Sequence, residues 1–100
     1  QIIFSALQMA TINKEDIQAL MAKKITALAF EYIRDDGNVL SVVRAMSEIV
    51  GATSILIAAE YLSNVYGGKG LMLGGVTGVP PTEIVILGAG TVGEYAARTA

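Results

Sequence analysis

The sequence predicts an α/β fold built from parallel strands and the helices that connect them. Three observations carry this. The opening 30 residues read as apolar run, amphipathic helix, apolar run. Residues 41–66 contain no proline and keep a helical apolar spacing. The chain closes on a branched apolar run, a glycine-rich turn and the start of an alanine-containing helix. A helix lying between two apolar strands is the crossover unit of a parallel sheet.

The first strand is read from Ile2-Ile3-Phe4, within residues 1–7. Asn13 then stands as an N-cap, with Glu15 and Asp16 in the first turn, where carboxylates suit the positive helix end. Ile17, Leu20 and Met21 share one face, and Lys23 and Lys24 close the helix with the favourable charge sign. Residues 25–30 are apolar except for Thr26, the pattern of a strand covered on both faces.

Asp35-Asp36-Gly37-Asn38 is a turn signal. From Ser41, a candidate cap, a helix of about 20 residues or more is expected. Val42, Met46, Ile49, Val50, Thr53, Leu56 and Leu62 keep its period, and Gly51 alone weakens it. Apolar residues run most of the way round between residues 49 and 59, which predicts a helix covered on several sides. Gly67-Gly68-Lys69-Gly70 ends it. A short extended run at residues 71–73, a linker-like stretch at residues 74–81 and a strand at residues 84–87 are expected to follow.

Composition restricts the setting. The chain is 53% hydrophobic before its 11 glycines are counted, against about 45–50% with glycine for an average soluble domain. Only 16% of residues are charged, against about 25%. So short and apolar a chain should bury surface against the rest of a longer polypeptide, a second copy, or both. The longest uncharged apolar stretch, residues 49–59, falls short of the about 20 residues of a bilayer span, and none is expected. The start lacks both an initiating Met and the basic region of a signal peptide, which suggests a piece of something larger. A net charge of −2 with scattered basic residues argues against a nucleic-acid surface. Without Cys or His there is no thiolate or imidazole for a metal or for proton transfer, and no metal site is expected.

Gly88-Ala89-Gly90-Thr91-Val92-Gly93 is G-x-G-x-x-G directly after a branched apolar run. In a dinucleotide-binding turn the first glycine permits the tight bend and the second lets backbone approach a pyrophosphate. The third brings helix and strand close together. N–H groups at the helix start then face the phosphates. Glycine turns also serve packing alone; the strand before and the helix after favour a nucleotide site. The acidic residue that would hold the ribose belongs about 20 positions on, past Ala100, so NAD and NADP both remain open.

Three segments together resemble the alanine dehydrogenase/pyridine nucleotide transhydrogenase alpha-subunit family: AMSEIVG at residues 45–51, GGKGLMLGGVTGVPP at residues 67–81 and IVILGAGTVGEYAAR at residues 84–98. The second is closer to the alanine dehydrogenases. The resemblance implies a central piece of such a chain. Residues 1–41 would end the first half of a flavodoxin/Rossmann-like substrate domain, residues 42–66 form a linking helix, and residues 67–100 begin a Rossmann NAD(P)-binding domain. It also implies a cytoplasmic oxidoreductase that binds a nicotinamide dinucleotide and acts on a small amino or keto acid. The alternatives are a transhydrogenase-like protein passing hydride between two nicotinamide nucleotides, and a nucleotide-binding or assembly module without chemistry.

By residue, the resemblance places Gly88, Ala89, Gly90, Thr91, Val92 and Gly93 on the cofactor, with Met46 and Ser47 on its nicotinamide side. From the residues alone, Met46 reads as core packing and Ser47 as a solvated or helix-bonded hydroxyl. The family's catalytic histidine lies in an L-H-L-A segment, and Leu7-Gln8-Met9-Ala10 stands there in this chain. Gln8 can hydrogen-bond but cannot exchange a proton near neutral pH, so no catalytic residue is assigned. The apolar mid-section of the long helix predicts a homo-oligomer.

Overall fold

A computed structural model describes residues 1–100. Its element order is β1 (Ile2–Ser5), α1 (Lys14–Ala22), β2 (Thr26–Ala29), α2 (Ser41–Leu62) and α3 (Thr91–Thr99), with short 3₁₀ turns at Phe30–Tyr32 and Asn64–Tyr66. The chain divides into two compact units, Gln1–Arg44 and Ala45–Ala100.

In the first unit β1 and β2 pair in parallel, with Ile2 opposite Thr26 and Phe4 opposite Leu28. Helix α1 connects them, as the apolar–amphipathic–apolar order requires. The Asn13 side chain caps it, its Oδ1 accepting from the Asp16 N–H at 2.7 Å. At the other end Lys23 is the C-cap and Lys24 takes the left-handed conformation, φ 49°. The Lys24 N–H donates to Met21 O and the Ile25 N–H to Leu20 O, the paired bonds of a Schellman ending. Phe4 and Phe30 stack at 5.8 Å between ring centres, tilted by 53°.

Coverage on both faces, expected for residues 25–30, is not what the structure shows. Exposure alternates along both strands, and Ile2, Phe4 and Leu28 lie on the open side with 70%, 62% and 49% of their surface accessible. Two strands and one helix supply material for one face only. No residue of this unit is fully buried.

Turn chemistry joins β2 to α2 as expected. Asp35 Oδ1 accepts from the Val39 N–H at 2.9 Å and Asn38 adopts φ 62°. Ser41 is the first residue inside α2 rather than its cap, because the Leu40 carbonyl already accepts from the Arg44 N–H.

The second unit centres on the side of α2 that carries Gly51 and Ile55, both buried, facing α3, whose Ala96 is also buried. By length and composition α2 could cross a bilayer, with a mean hydropathy of 1.6 over its most apolar window. The uncharged run at residues 49–59 understated this, since a helix tolerates Glu48 or Glu60 near a window's end. The Gly51 side of α2, however, lies against the backbone of α3 within the same unit.

Gly67, in the left-handed region at φ 80°, closes the 3₁₀ turn after α2, and the N–H groups of Gly70 and Leu71 return to the Leu62 carbonyl. Residues 71–73 form no strand. The stretch at residues 74–81 is a bonded turn rather than a linker: Val76 and Val79 exchange N–H···O bonds of 3.1 and 2.9 Å around Gly78, φ 83°. Thr82 Oγ1 then donates to the Met72 carbonyl at 2.6 Å and ties its two ends together. Residues 84–87 run extended with alternating exposure, but no other segment pairs with them and they are not a strand. Local sequence sets the backbone conformation; a ladder needs a neighbour.

Candidate functional site

The glycine turn is built by three different backbone demands. Gly88 has φ 121°, outside the range of L side chains. A Cβ at Gly93 would collide with the Gly88 carbonyl oxygen and lie 3.0 Å from its carbon, so the first turn of α3 rests directly on the turn before it. Gly90, at φ −80°, has nothing within 4 Å of where its Cβ would stand. Its missing side chain leaves an open approach.

Gly90 is the N-cap of α3, and its carbonyl accepts from the Glu94 N–H at 2.9 Å. The N–H groups of Thr91, Val92 and Gly93 precede that first helical bond and have no acceptor within the helix. A helix start with free N–H groups and an open approach can receive an anionic group.

Beside the turn runs a groove of about 530 Å³, lined by Ser47, Ser54, Ile55 and Ala58 of α2, residues 84–87, and Gly88, Gly90, Thr91, Val92, Gly93 and Ala96. It brings Ser47 together with the glycine turn. Ala89, between two lining glycines, does not line it, and neither does Met46, which is 52% exposed on α2.

The chain matches the family model for the alanine dehydrogenase/PNT C-terminal domain over residues 54–100. It is 45% identical to the alanine dehydrogenase of Methanococcus maripaludis across all 100 residues, covering 26% of that protein. It is 40% identical to that of Mycolicibacterium smegmatis, again over its whole length and 27% of the relative. A solved L-alanine dehydrogenase superposes on 98% of the chain with a TM-score of 0.84 and 39% identity, over 27% of that structure. The chain is thus similar to alanine dehydrogenases along its whole length and to the alanine dehydrogenase/PNT C-terminal domain over residues 54–100. It spans about a quarter of the length of the alanine dehydrogenases it matches.

Gln8, which stands in the Leu7-Gln8-Met9-Ala10 segment compared with the alanine dehydrogenases, belongs to the first unit, apart in sequence from the glycine turn. It follows β1 with φ 48°, and its carbonyl accepts from the Thr11 and Ile12 N–H groups at 2.7 and 3.0 Å. It lines a different groove, of about 540 Å³, with Thr11, Asn13, Asp16 and Lys23 among its walls.

Two residues that matter to these sites were not singled out from the sequence. Glu31, in the 3₁₀ turn after β2, accepts from the Leu7 N–H at 3.1 Å and the Gln8 N–H at 2.7 Å. Partial desolvation pushes its carboxyl up, but backbone N–H groups of Glu31, Gln8 and Leu7 outweigh this and hold it below the ordinary glutamate value. Its partners lie 23 and 24 residues away, beyond any local signal. The second is Gly51, which looked only like a weak point in a helix; a glycine amid an otherwise continuous helical run was the available clue.

Proposed function

We propose that the chain is part of an NAD(P)-dependent oxidoreductase of alanine dehydrogenase type, acting between a nicotinamide cofactor and an amino or keto acid. The observation that carries this is the division of labour among the three glycines. Gly88 and Gly93 are required by the backbone itself, whereas nothing in the fold requires Gly90 to lack a side chain. A diphosphate approaching the Thr91, Val92 and Gly93 N–H groups supplies that requirement.

Residues 1–41 are read as the end of the first half of a substrate domain, residues 42–66 as a linking helix, and residues 67–100 as the start of a Rossmann domain. Gly88, Ala89, Gly90, Thr91, Val92 and Gly93 hold the pyrophosphate through backbone N–H groups, and Ser47 and Met46 face the nicotinamide side. The dinucleotide, when bound, supplies hydride acceptance and donation; the polypeptide supplies position and electrostatics. Ser47 sets a hydroxyl in the groove wall beside the apolar Ile55, Ala58 and Ala96. A homo-oligomer formed through α2 would cover Ile49, Leu56 and Tyr61, all strongly exposed.

Gln8 favours a second reading, a transhydrogenase-like protein moving hydride between two nicotinamide nucleotides, since that reaction needs no imidazole at this position.

Titration of NAD⁺ followed by amide resonances tests the proposal. Thr91, Val92 and Gly93 should shift with added NAD⁺, and Gly90→Val should abolish the response while leaving the fold intact. An unchanged response in Gly90→Val would overturn it. Acceptance of a second nicotinamide nucleotide in place of a keto acid would decide for the second reading.

A further inference from the structure

Gly51 lies on the stretch of α2 that meets α3, between the groove-lining Ser47 and Ser54. A Cβ built on it would collide with the Val92 carbonyl oxygen and lie 2.8 Å from Tyr95 Cβ and 3.0 Å from Ala96 N. These atoms belong to the first two turns of α3, the same turns whose free N–H groups face the open side of Gly90. The Gly51 carbonyl accepts from Ser54 Oγ at 2.7 Å, so the hydroxyl that lines the groove is bonded back onto this residue.

We propose that Gly51 is a positioning residue for the glycine turn. It lets α2 seat α3 at one height, and that height fixes where the Thr91, Val92 and Gly93 N–H groups converge. The mechanics follow from two adjacent contacts. Gly93 rests on the Gly88 carbonyl, and the carbonyl of the adjacent Val92 rests on Gly51. Held between two contacts that have no side chain to yield, the helix start cannot move toward α2 or toward the turn. Adding one methyl group at Gly51 must displace α3, because the nearest atoms are backbone and cannot rotate away. The displacement is passed to the turn through Gly93. The functional half of this inference rests on the dinucleotide reading above.

The test compares the unsubstituted chain with Gly51→Ala, Tyr95→Ala and Ala59→Gly, reading the ligand-free amide resonances of Thr91–Gly93 and then NAD⁺ affinity. Gly51→Ala should shift those amides before any ligand is added and weaken NAD⁺ by tenfold or more, about one power of ten per 1.4 kcal/mol. Tyr95→Ala keeps the Cβ that meets Gly51 and removes the ring beyond it, so α3 loses packing without being pushed, and it decides the matter if Gly51→Ala does not fold; a smaller loss of the same sense is expected. Ala59→Gly weakens α2 eight residues past Gly51 and outside the groove lining, and should leave both readouts at their starting values. If Gly51→Ala and Tyr95→Ala leave the amides unmoved, or if Ala59→Gly shifts them equally, the inference is wrong. If the amides move while the unsubstituted chain binds no NAD⁺, the positioning stands and the dinucleotide reading falls.

Discussion

Glu31 receives the Gln8 backbone N–H at 2.7 Å, so a carboxylate of the 3₁₀ turn after β2 fixes the residue that follows β1. With Leu7 donating to the same group, the ends of both strands are joined at one acceptor. Because folding lowers the Glu31 carboxyl, its contribution is present above the ordinary glutamate value and is lost as pH falls through the lowered folded-state value. Hydrogen exchange at Leu7 and Gln8 should therefore quicken, after correction for intrinsic rates, as the medium is acidified, and Glu31→Gln should show the quickened exchange at neutral pH. Equal protection in the variant would show that the carboxylate is not the acceptor that matters.

Gly93→Ala is expected to destabilise the second unit by about 1–3 kcal/mol, through crowding against the Gly88 carbonyl. Alanine's better helix propensity, about 1 kcal/mol, opposes this and does not cancel it. Urea unfolding followed by circular dichroism reads the difference.

Gly90→Ala should behave in the opposite way. Its φ of −80° suits any residue and no atom lies within reach of the new methyl. Stability should change by no more than about 0.5 kcal/mol, as for an open surface position. The pair of unfolding curves separates a glycine the fold needs from one it does not.

Lys24→Gly should stabilise the first unit by about 1 kcal/mol, since a lysine at φ 49° bears the left-handed penalty that glycine escapes. Asn13→Ala should cost about 1 kcal/mol by leaving the Asp16 N–H without its cap. Thermal unfolding of the two variants gives shifts of opposite sign.

Features written in short segments were legible in the sequence. Asn13 and its first-turn acids announced α1, Asp35 to Asn38 announced a turn, and the spacing of Gly88, Gly90 and Gly93 announced a strand-to-helix bend. Ser41 was misplaced by one position because several residues near a helix start can cap it, and only the Leu40–Arg44 bond decides. The strand at residues 84–87 was drawn from β-branched composition, which specifies an extended backbone but not the neighbour that makes it a strand. The turn at residues 74–81 looked like a tether because its bonds, above all Thr82 to Met72, join positions ten apart. Gly51 and Glu31 stayed hidden for the same reason: each acts on a partner remote in sequence.

The unaccompanied ribbon at residues 84–87 has a practical consequence for anyone handling this polypeptide. Val85 and Leu87, 76% and 96% accessible, flank peptide groups with no rung to either side, which makes a ready template for intermolecular pairing. Concentrated samples should therefore gel or form fibrils from this end first. A lysine in place of Leu87 is the simplest way to keep them clear.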